Sequence, residues 1–193
     1  HDGASNPLEV LVDEYITPVS QQEYTTQYNI PRFVDIDGDG DLDVFIGKGG
    51  YYDFTDMEYH ENTGTAVQPQ FSATPSVNPI PSVGKQLNTP FCADIDNDGD
   101  LDCFAFHKNT YYDSIAVYYF ENQGTANAPA FVQQTGSLNP MDSVNYYLNN
   151  VTGYFSAGGF INFDGDADID AYMEGARNPI PGLQSGRRTI LLK

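Results

Sequence analysis

The sequence predicts an all-β fold made of about three repeats, the third of them incomplete. The main observation is self-similarity: residues 31–45 align with residues 90–104 at an offset of 59, and residues 59–66 align with residues 119–126 at an offset of 60. A period of about 60 residues is typical of repeat architectures. The 18 glycines and 12 prolines in the chain of 193 residues also leave no room for a long uninterrupted helix.

Each repeat contains several short runs that favour β-strands. Residues 44–46 and 103–106 are apolar, and residues 115–120 are rich in β-branched and aromatic side chains. Asn-x-Gly sequences at residues 62–64 and 122–124 predict tight turns after strands. The count is roughly four short strands per repeat, which is typical of one blade of a β-propeller.

The repeats divide the chain into one domain with four segments. Residues 1–30 supply a strand or a linker, residues 31–89 form the first repeat, and residues 90–159 form the second. Residues 160–193 form a partial third repeat. Because the chain begins at His1 rather than Met, we expect either a removed leader or a longer parent protein.

Acidic residues are concentrated in three short windows, one in each repeat. Four or five carboxylates within nine residues repel one another strongly unless a cation neutralises them. The candidate ligands are Asp35, Asp37, Asp39, Asp41 and Asp43 in the first window, Asp94, Asp96, Asp98, Asp100 and Asp102 in the second, and Asn162, Asp164, Asp166, Asp168 and Asp170 in the third.

The pattern of the first two windows favours Ca²⁺, which takes six to eight hard oxygen ligands. Aspartates occupy positions one, three, five and nine, and a glycine at position six, Gly40 or Gly99, permits a sharp turn. An EF-hand needs a bidentate Glu at position twelve, where this chain has Ile46 and Ala105. The third window has Ala167 instead of glycine, so we expect a weaker or partly occupied third site.

The pattern D-x-D-x-D-G-x-x-D, followed by the turn E-N-x-G-T-A, resembles the FG-GAP/VCBS-type repeat family. The resemblance covers residues 31–131 well and residues 160–193 in part. It implies blades of a β-propeller, as in the integrin α-chain head, with Ca²⁺ held in a loop between two strands of a blade. It also implies that all the aspartates of each window are ligands, and an extracellular or cell-surface location.

Composition and motifs narrow the function classes. The formal net charge of −19 argues against a nucleic-acid partner, which would need clustered Lys and Arg. No apolar run approaches 18 residues, so we expect no membrane insertion. There is no nucleophile elbow, H-E-x-x-H, phosphate loop or Cys-pair zinc motif. We therefore expect no enzymatic activity.

We expect a calcium-binding, structural or adhesive repeat protein outside the cell. Since the third repeat is incomplete, strand edges are left open, and we expect a homo-oligomer, a polymer such as a ring or filament, or part of a larger surface protein. One alternative is a lectin or adhesin that binds a glycan through tyrosine pairs. Another is an accessory module of a secreted enzyme. The tyrosine pairs are Tyr51 with Tyr52, Tyr111 with Tyr112, and Tyr146 with Tyr147.

Two further features leave alternatives open. Cys92 and Cys103 flank the second acidic window, where they are either a disulfide or two buried free thiols. Asn150 begins an Asn-Val-Thr glycosylation sequon, which matters only in a source that glycosylates secreted proteins.

Overall fold

The computed structural model describes residues 28–49, 56–84, 90–109, 114–142, 153–161, 170–177 and 187–192. These residues form three antiparallel sheets, so the predicted all-β fold is confirmed. The strands are β1 Tyr28–Val34, β2 Asp43–Gly49, β3 Glu58–His60, β4 Phe91–Ala93, β5 Asp102–Asn109, β6 Ser114–Asn122, β7 Phe131–Gln134, β8 Gly153–Ile161, β9 Asp170–Arg177 and β10 Arg187–Leu192, with a short 3-10 turn at Gly136–Leu138. Among the described residues, we find no helix that could span a lipid bilayer.

Each sheet is a meander whose strands pair in chain order. The first sheet has the order β1-β2-β3, the second β4-β5-β6-β7, and the third β8-β9-β10. In the first two sheets, the acidic window connects the first strand to the second. Residues 35–42 separate β1 from β2, and residues 94–101 separate β4 from β5. The hairpin register therefore places both acidic loops at the same end of their sheets.

The core consists of aromatic and aliphatic side chains from both repeats. Phe45 on β2 and Phe120 on β6 are both 0% exposed, and they belong to one cluster with Ile36, Met57, Tyr59, Ile80, Cys103, Ala105 and Phe131. Burial of a side chain such as Phe stabilises a fold by about 1.5–3 kcal/mol. Because residues of both sheets share this cluster, the first two repeats pack as one body.

The first strands of successive sheets are neighbours. The Arg32 guanidinium on β1 lies 4.3 Å from the ring centroid of Phe91 on β4, and β4 in turn lies beside β8. In a β-propeller the first strands of successive blades lie side by side around the axis. The arrangement is consistent with open, propeller-like blades.

The fourth strand differs between the two repeats. In the second repeat, β7 pairs with β6 over four residues from Asn122↔Phe131. In the first repeat, the equivalent pairing is the isolated bridge Asn62↔Phe71. The next residue, Ser72, accepts a hydrogen bond from the Thr74 amide at 3.1 Å through its hydroxyl. Such a local Ser turn competes with strand pairing, so the first sheet has three described strands.

Cys92 and Cys103 form a disulfide with an S–S distance of 1.99 Å. They are direct cross-strand partners on β4 and β5, on either side of the second acidic loop. The equivalent pair in the first repeat is Phe33↔Val44. The covalent link is therefore specific to the second of two otherwise similar hairpins.

We predict that replacing both cysteines by alanine lowers the free energy of unfolding by about 2–4 kcal/mol, because the cross-link restricts the unfolded chain. Urea denaturation followed by circular dichroism measures the change. Reductant should destabilise the native protein by a similar amount and leave the Cys92→Ala, Cys103→Ala variant unchanged. A variant as stable as the native protein would contradict the prediction.

Candidate metal centre

Three carboxylates converge in each of the first two acidic loops. Asp35, Asp37 and Asp39 each offer one oxygen, and these oxygens all lie within 4.8 Å of one another. The second loop repeats the arrangement with Asp94, Asp96 and Asp98. These are positions one, three and five of the pattern, and both groups can hold a metal ion.

Hydrogen bonds to the backbone curl each loop around these carboxylates. Asp35 Oδ2 accepts the Gly40 amide at 3.1 Å, and Asp94 Oδ2 accepts the Gly99 amide at 3.2 Å. Gly40 and Gly99 have φ angles of +93° and +96°, in the left-handed region that favours glycine. The glycine predicted at the sharp turn is found there in both loops.

The aspartates at position seven are buried in the same loops as the three converging carboxylates. Asp41 is 6% exposed and Asp100 is 7% exposed, and Oδ1 of each is buried with no hydrogen-bond partner. Burial raises the pKa of Asp41, and the neighbouring carboxylates, above all Asp39, raise that pKa further. A buried carboxylate oxygen without a donor is uncommon in native proteins. A cation beside it would satisfy the oxygen and offset the like charges.

The aspartates at position nine have a different environment. Asp43 is 2% exposed. Its Oδ1 accepts a hydrogen bond from the backbone amide of Asn62 at 2.8 Å, and its Oδ2 accepts one from the Tyr59 hydroxyl at 3.1 Å. Asp102 makes the same two bonds, to Asn122 and Tyr119, at 2.8 and 2.9 Å. These hydrogen bonds join the end of the acidic loop to the third strand of each sheet.

The pKa of Asp43 reflects this environment. Burial raises it to about 6, although the Asn62 amide and the Tyr59 hydroxyl act in the opposite direction. Burial likewise raises the pKa of Asp102. The role of either residue as a ligand stays a prediction.

Asn62 and Asn122 have a role that the sequence pattern did not reveal. Asn62 Oδ1 accepts the amides of Gly64 at 3.0 Å and Gln70 at 2.8 Å. Asn122 Oδ1 accepts the equivalent amides, of Gly124 at 3.0 Å and Ala130 at 2.8 Å. The asparagine thus organises the turn with its side chain and binds the position-nine aspartate with its backbone. The sequence signal for this role is the recurrence of Glu-Asn-x-Gly at residues 61–64 and 121–124. The sequence does not show which groups the asparagine contacts, because those contacts depend on the strand register.

Most of the third acidic window, Asn162, Asp164, Asp166 and Asp168, lies outside the described residues. Asp170 begins β9 and pairs with Ile161, as Asp43 begins β2 and pairs with Val34. The backbone of the third hairpin therefore places Asp170 at position nine. The third site stays a prediction, and the three tyrosine pairs and Asn150 also lie outside the described residues.

Comparison with known proteins supports the repeat assignment. A family model described as an FG-GAP-like repeat matches residues 35–105. This match begins at the first acidic loop and ends within β5, so the expected resemblance is confirmed over that segment. No curated protein and no solved structure matches the chain.

We predict that Tyr119→Phe lowers the free energy of unfolding by about 1–3 kcal/mol, because it leaves an oxygen of the buried Asp102 without its donor. Tyr118→Phe is the matched control, since Tyr118 is the adjacent residue on β6 and is only partly buried. Urea denaturation compares the two variants at pH 7. Equal losses of stability in both would contradict the assigned role of the Tyr119 hydroxyl.

Proposed function

From the FG-GAP-like repeat over residues 35–105, we propose that the chain is a calcium-binding structural repeat module of an extracellular or cell-surface protein, without catalytic activity of its own. The observation that supports this most strongly is the buried, unpartnered Oδ1 of Asp41 and of Asp100, each in a loop where three other carboxylates converge. Two loops share this arrangement, which makes a chance cluster of surface acids a poor explanation.

The donor set favours calcium over other ions. All the candidate donors are hard oxygens, and Ca²⁺ accepts six to eight of them in flexible geometry. Mg²⁺ prefers few protein ligands and keeps its waters, while Zn²⁺ sites generally include His or Cys. The loops at residues 35–43 and 94–102 contain neither His nor Cys. Bound calcium would offset carboxylate repulsion and so stabilise the fold.

Two features support a location outside the cell. The Cys92–Cys103 disulfide is of a kind that persists in oxidising compartments. Calcium modules of extracellular proteins bind the ion with dissociation constants of about 10⁻⁴–10⁻³ M. Weak binding of this kind is expected of the two loops, because some of their candidate ligands, such as Asp39 and Asp98, are exposed to solvent.

Association with further repeats is the remaining part of the proposal. The turn at residues 125–128 packs on the acidic loop of the preceding repeat, where Asn127 contacts Gly38. The equivalent turn of the first repeat has the same bridge, Thr65↔Gln68, and its Val67 is 81% exposed. Within the described part of the chain, the turn of the first repeat that corresponds to this contact is thus exposed at Val67. A repeat of a second copy or of a longer chain would fit there and give a structural or adhesive array.

We predict that millimolar calcium raises the melting temperature relative to excess chelator, because each site adds about 0.4–1.4 kcal/mol when the ion is at about one to ten times its dissociation constant. Asp37→Asn with Asp39→Asn should remove one site from the stoichiometry measured by isothermal titration calorimetry. Asp142→Asn is the control, because Asp142 is an exposed acid outside the loops. No binding heat and no change in melting would refute the calcium role.

We also predict that size exclusion with light scattering shows an assembly in calcium that dissociates in chelator. Once the chelator removes calcium, repulsion between the carboxylates would loosen the acidic loops. A monomer under both conditions would exclude calcium-dependent self-association. Calorimetry on the same preparation would show whether calcium still binds, which separates the two parts of the proposal.

A further inference from the structure

A turn of the second repeat contacts the acidic loop of the first repeat directly. This turn, residues 125–128, is here called the inter-repeat turn, and two backbone hydrogen bonds between Thr125 and Ala128, at 3.2 and 3.0 Å, close it. At its tip, Asn127 Nδ2 donates a hydrogen bond to the Gly38 carbonyl at 2.7 Å and lies 3.5 Å from the Asp37 carbonyl oxygen. The inter-repeat turn therefore contacts the segment between two of the converging carboxylates.

The close approach requires glycine at position four of the first loop. A Cβ on Gly38 would lie 2.9 Å from the Ala126 carbonyl oxygen and 3.1 Å from Asn127 Nδ2. Contacts under 3.0 Å force a shift, and the Ala126 oxygen belongs to the backbone. The absence of a side chain at residue 38 is thus what allows the inter-repeat turn to reach the loop.

The second loop provides an internal comparison. Its position four is Asn97, with a φ angle of +61°, close to the +67° of Gly38. An asparagine can therefore adopt this loop conformation. The glycine of the first loop is explained by the contact with the inter-repeat turn rather than by the backbone angle.

From this contact we infer that Asn127 is a positioning residue for ion binding in the first acidic loop, and that ion binding and packing between the two repeats stabilise each other. The inference rests on the proposed calcium function. By holding the backbone at Gly38, Asn127 restricts the segment between Asp37 and Asp39 before the ion arrives, and preorganisation of this kind strengthens binding. Linkage is reciprocal, so calcium in the loop must strengthen the contact with the inter-repeat turn by the same factor.

The test measures calcium binding to the first loop alone. The other loops are disabled by Asp96→Asn, Asp98→Asn, Asp166→Asn and Asp168→Asn, and calcium is titrated by calorimetry. In this background Asn127→Ala should weaken binding by about threefold to tenfold, the range that corresponds to the loss of one hydrogen bond. Val77→Ala is the control, because Val77 is 93% exposed and lies outside the acidic loops and the turns at residues 65–68 and 125–128; it should leave the affinity unchanged.

A second variant tests the close approach itself. Gly38→Asn introduces the residue that the second loop has at this position, so the backbone angle is tolerated while the Cβ opposes the Ala126 oxygen. It should weaken calcium binding as Asn127→Ala does. The two changes together should cost less than the product of their separate fold-changes, because both disrupt one contact.

Hydrogen exchange tests the inference on the native chain, without the Asp→Asn substitutions in the other loops. Calcium should slow exchange of the Thr125 and Ala128 amides in the native protein, and Asn127→Ala should abolish that slowing. Unchanged affinity and exchange in both variants, with calcium still bound, would overturn the inference and leave the proposed function intact. No calcium binding by the native chain would refute the proposed function, and the inference with it.

Discussion

The first two repeats each depend on the hydrogen bonds to a buried aspartate at position nine. Asp43 is enclosed by the Tyr59 hydroxyl and the Asn62 amide, and Asp102 by their counterparts Tyr119 and Asn122. One carboxylate thus joins the second strand, the third strand and the following turn. Burying a carboxylate is costly unless donors are supplied, so the tyrosine and the asparagine are required together with it. This explains why the three residue types recur together in both repeats.

This anchoring sets the geometry in which the remaining carboxylates meet. Because position nine is fixed at the start of the second strand, the chain must reverse its direction within the few residues of the loop. Carboxylate oxygens at positions one, three and five then lie within 4.8 Å of one another. Position seven, Asp41 or Asp100, is buried in the same loop with one oxygen unpartnered. Such a constellation raises the pKa of the buried acid and is unfavourable without a counter-charge. The fold therefore brings together carboxylates that could hold a metal ion, and a cation would reduce the repulsion between them.

Sequence reasoning predicted the repeats, the all-β class and the convergence of positions one, three and five, because these depend on local spacing and on the alternation of side chains along the chain. It did not distinguish position nine from the others, since the partners of Asp43 come from another strand. It also predicted about four strands in each repeat, whereas the first sheet has three described strands and only the isolated bridge Asn62↔Phe71 in place of the fourth. Asn127 had no signal in the sequence: its partner Gly38 is 89 residues away, and only the packing of one sheet against the next brings them together.

The two described loops have nearly the same acidic residues but are restrained by different means. The first has Phe33 and Val44 where the second has the Cys92–Cys103 disulfide, and it is contacted instead by the inter-repeat turn at Gly38. The second loop has a covalent link between its flanking strands, together with a side chain, Asn97, at the position where the first requires glycine. A disulfide restrains a hairpin independently of its neighbours, whereas a contact from the next repeat acts only when the repeats are packed. Packing between the first two repeats therefore contributes to the restraint of the first loop, and the disulfide contributes a local restraint to the second.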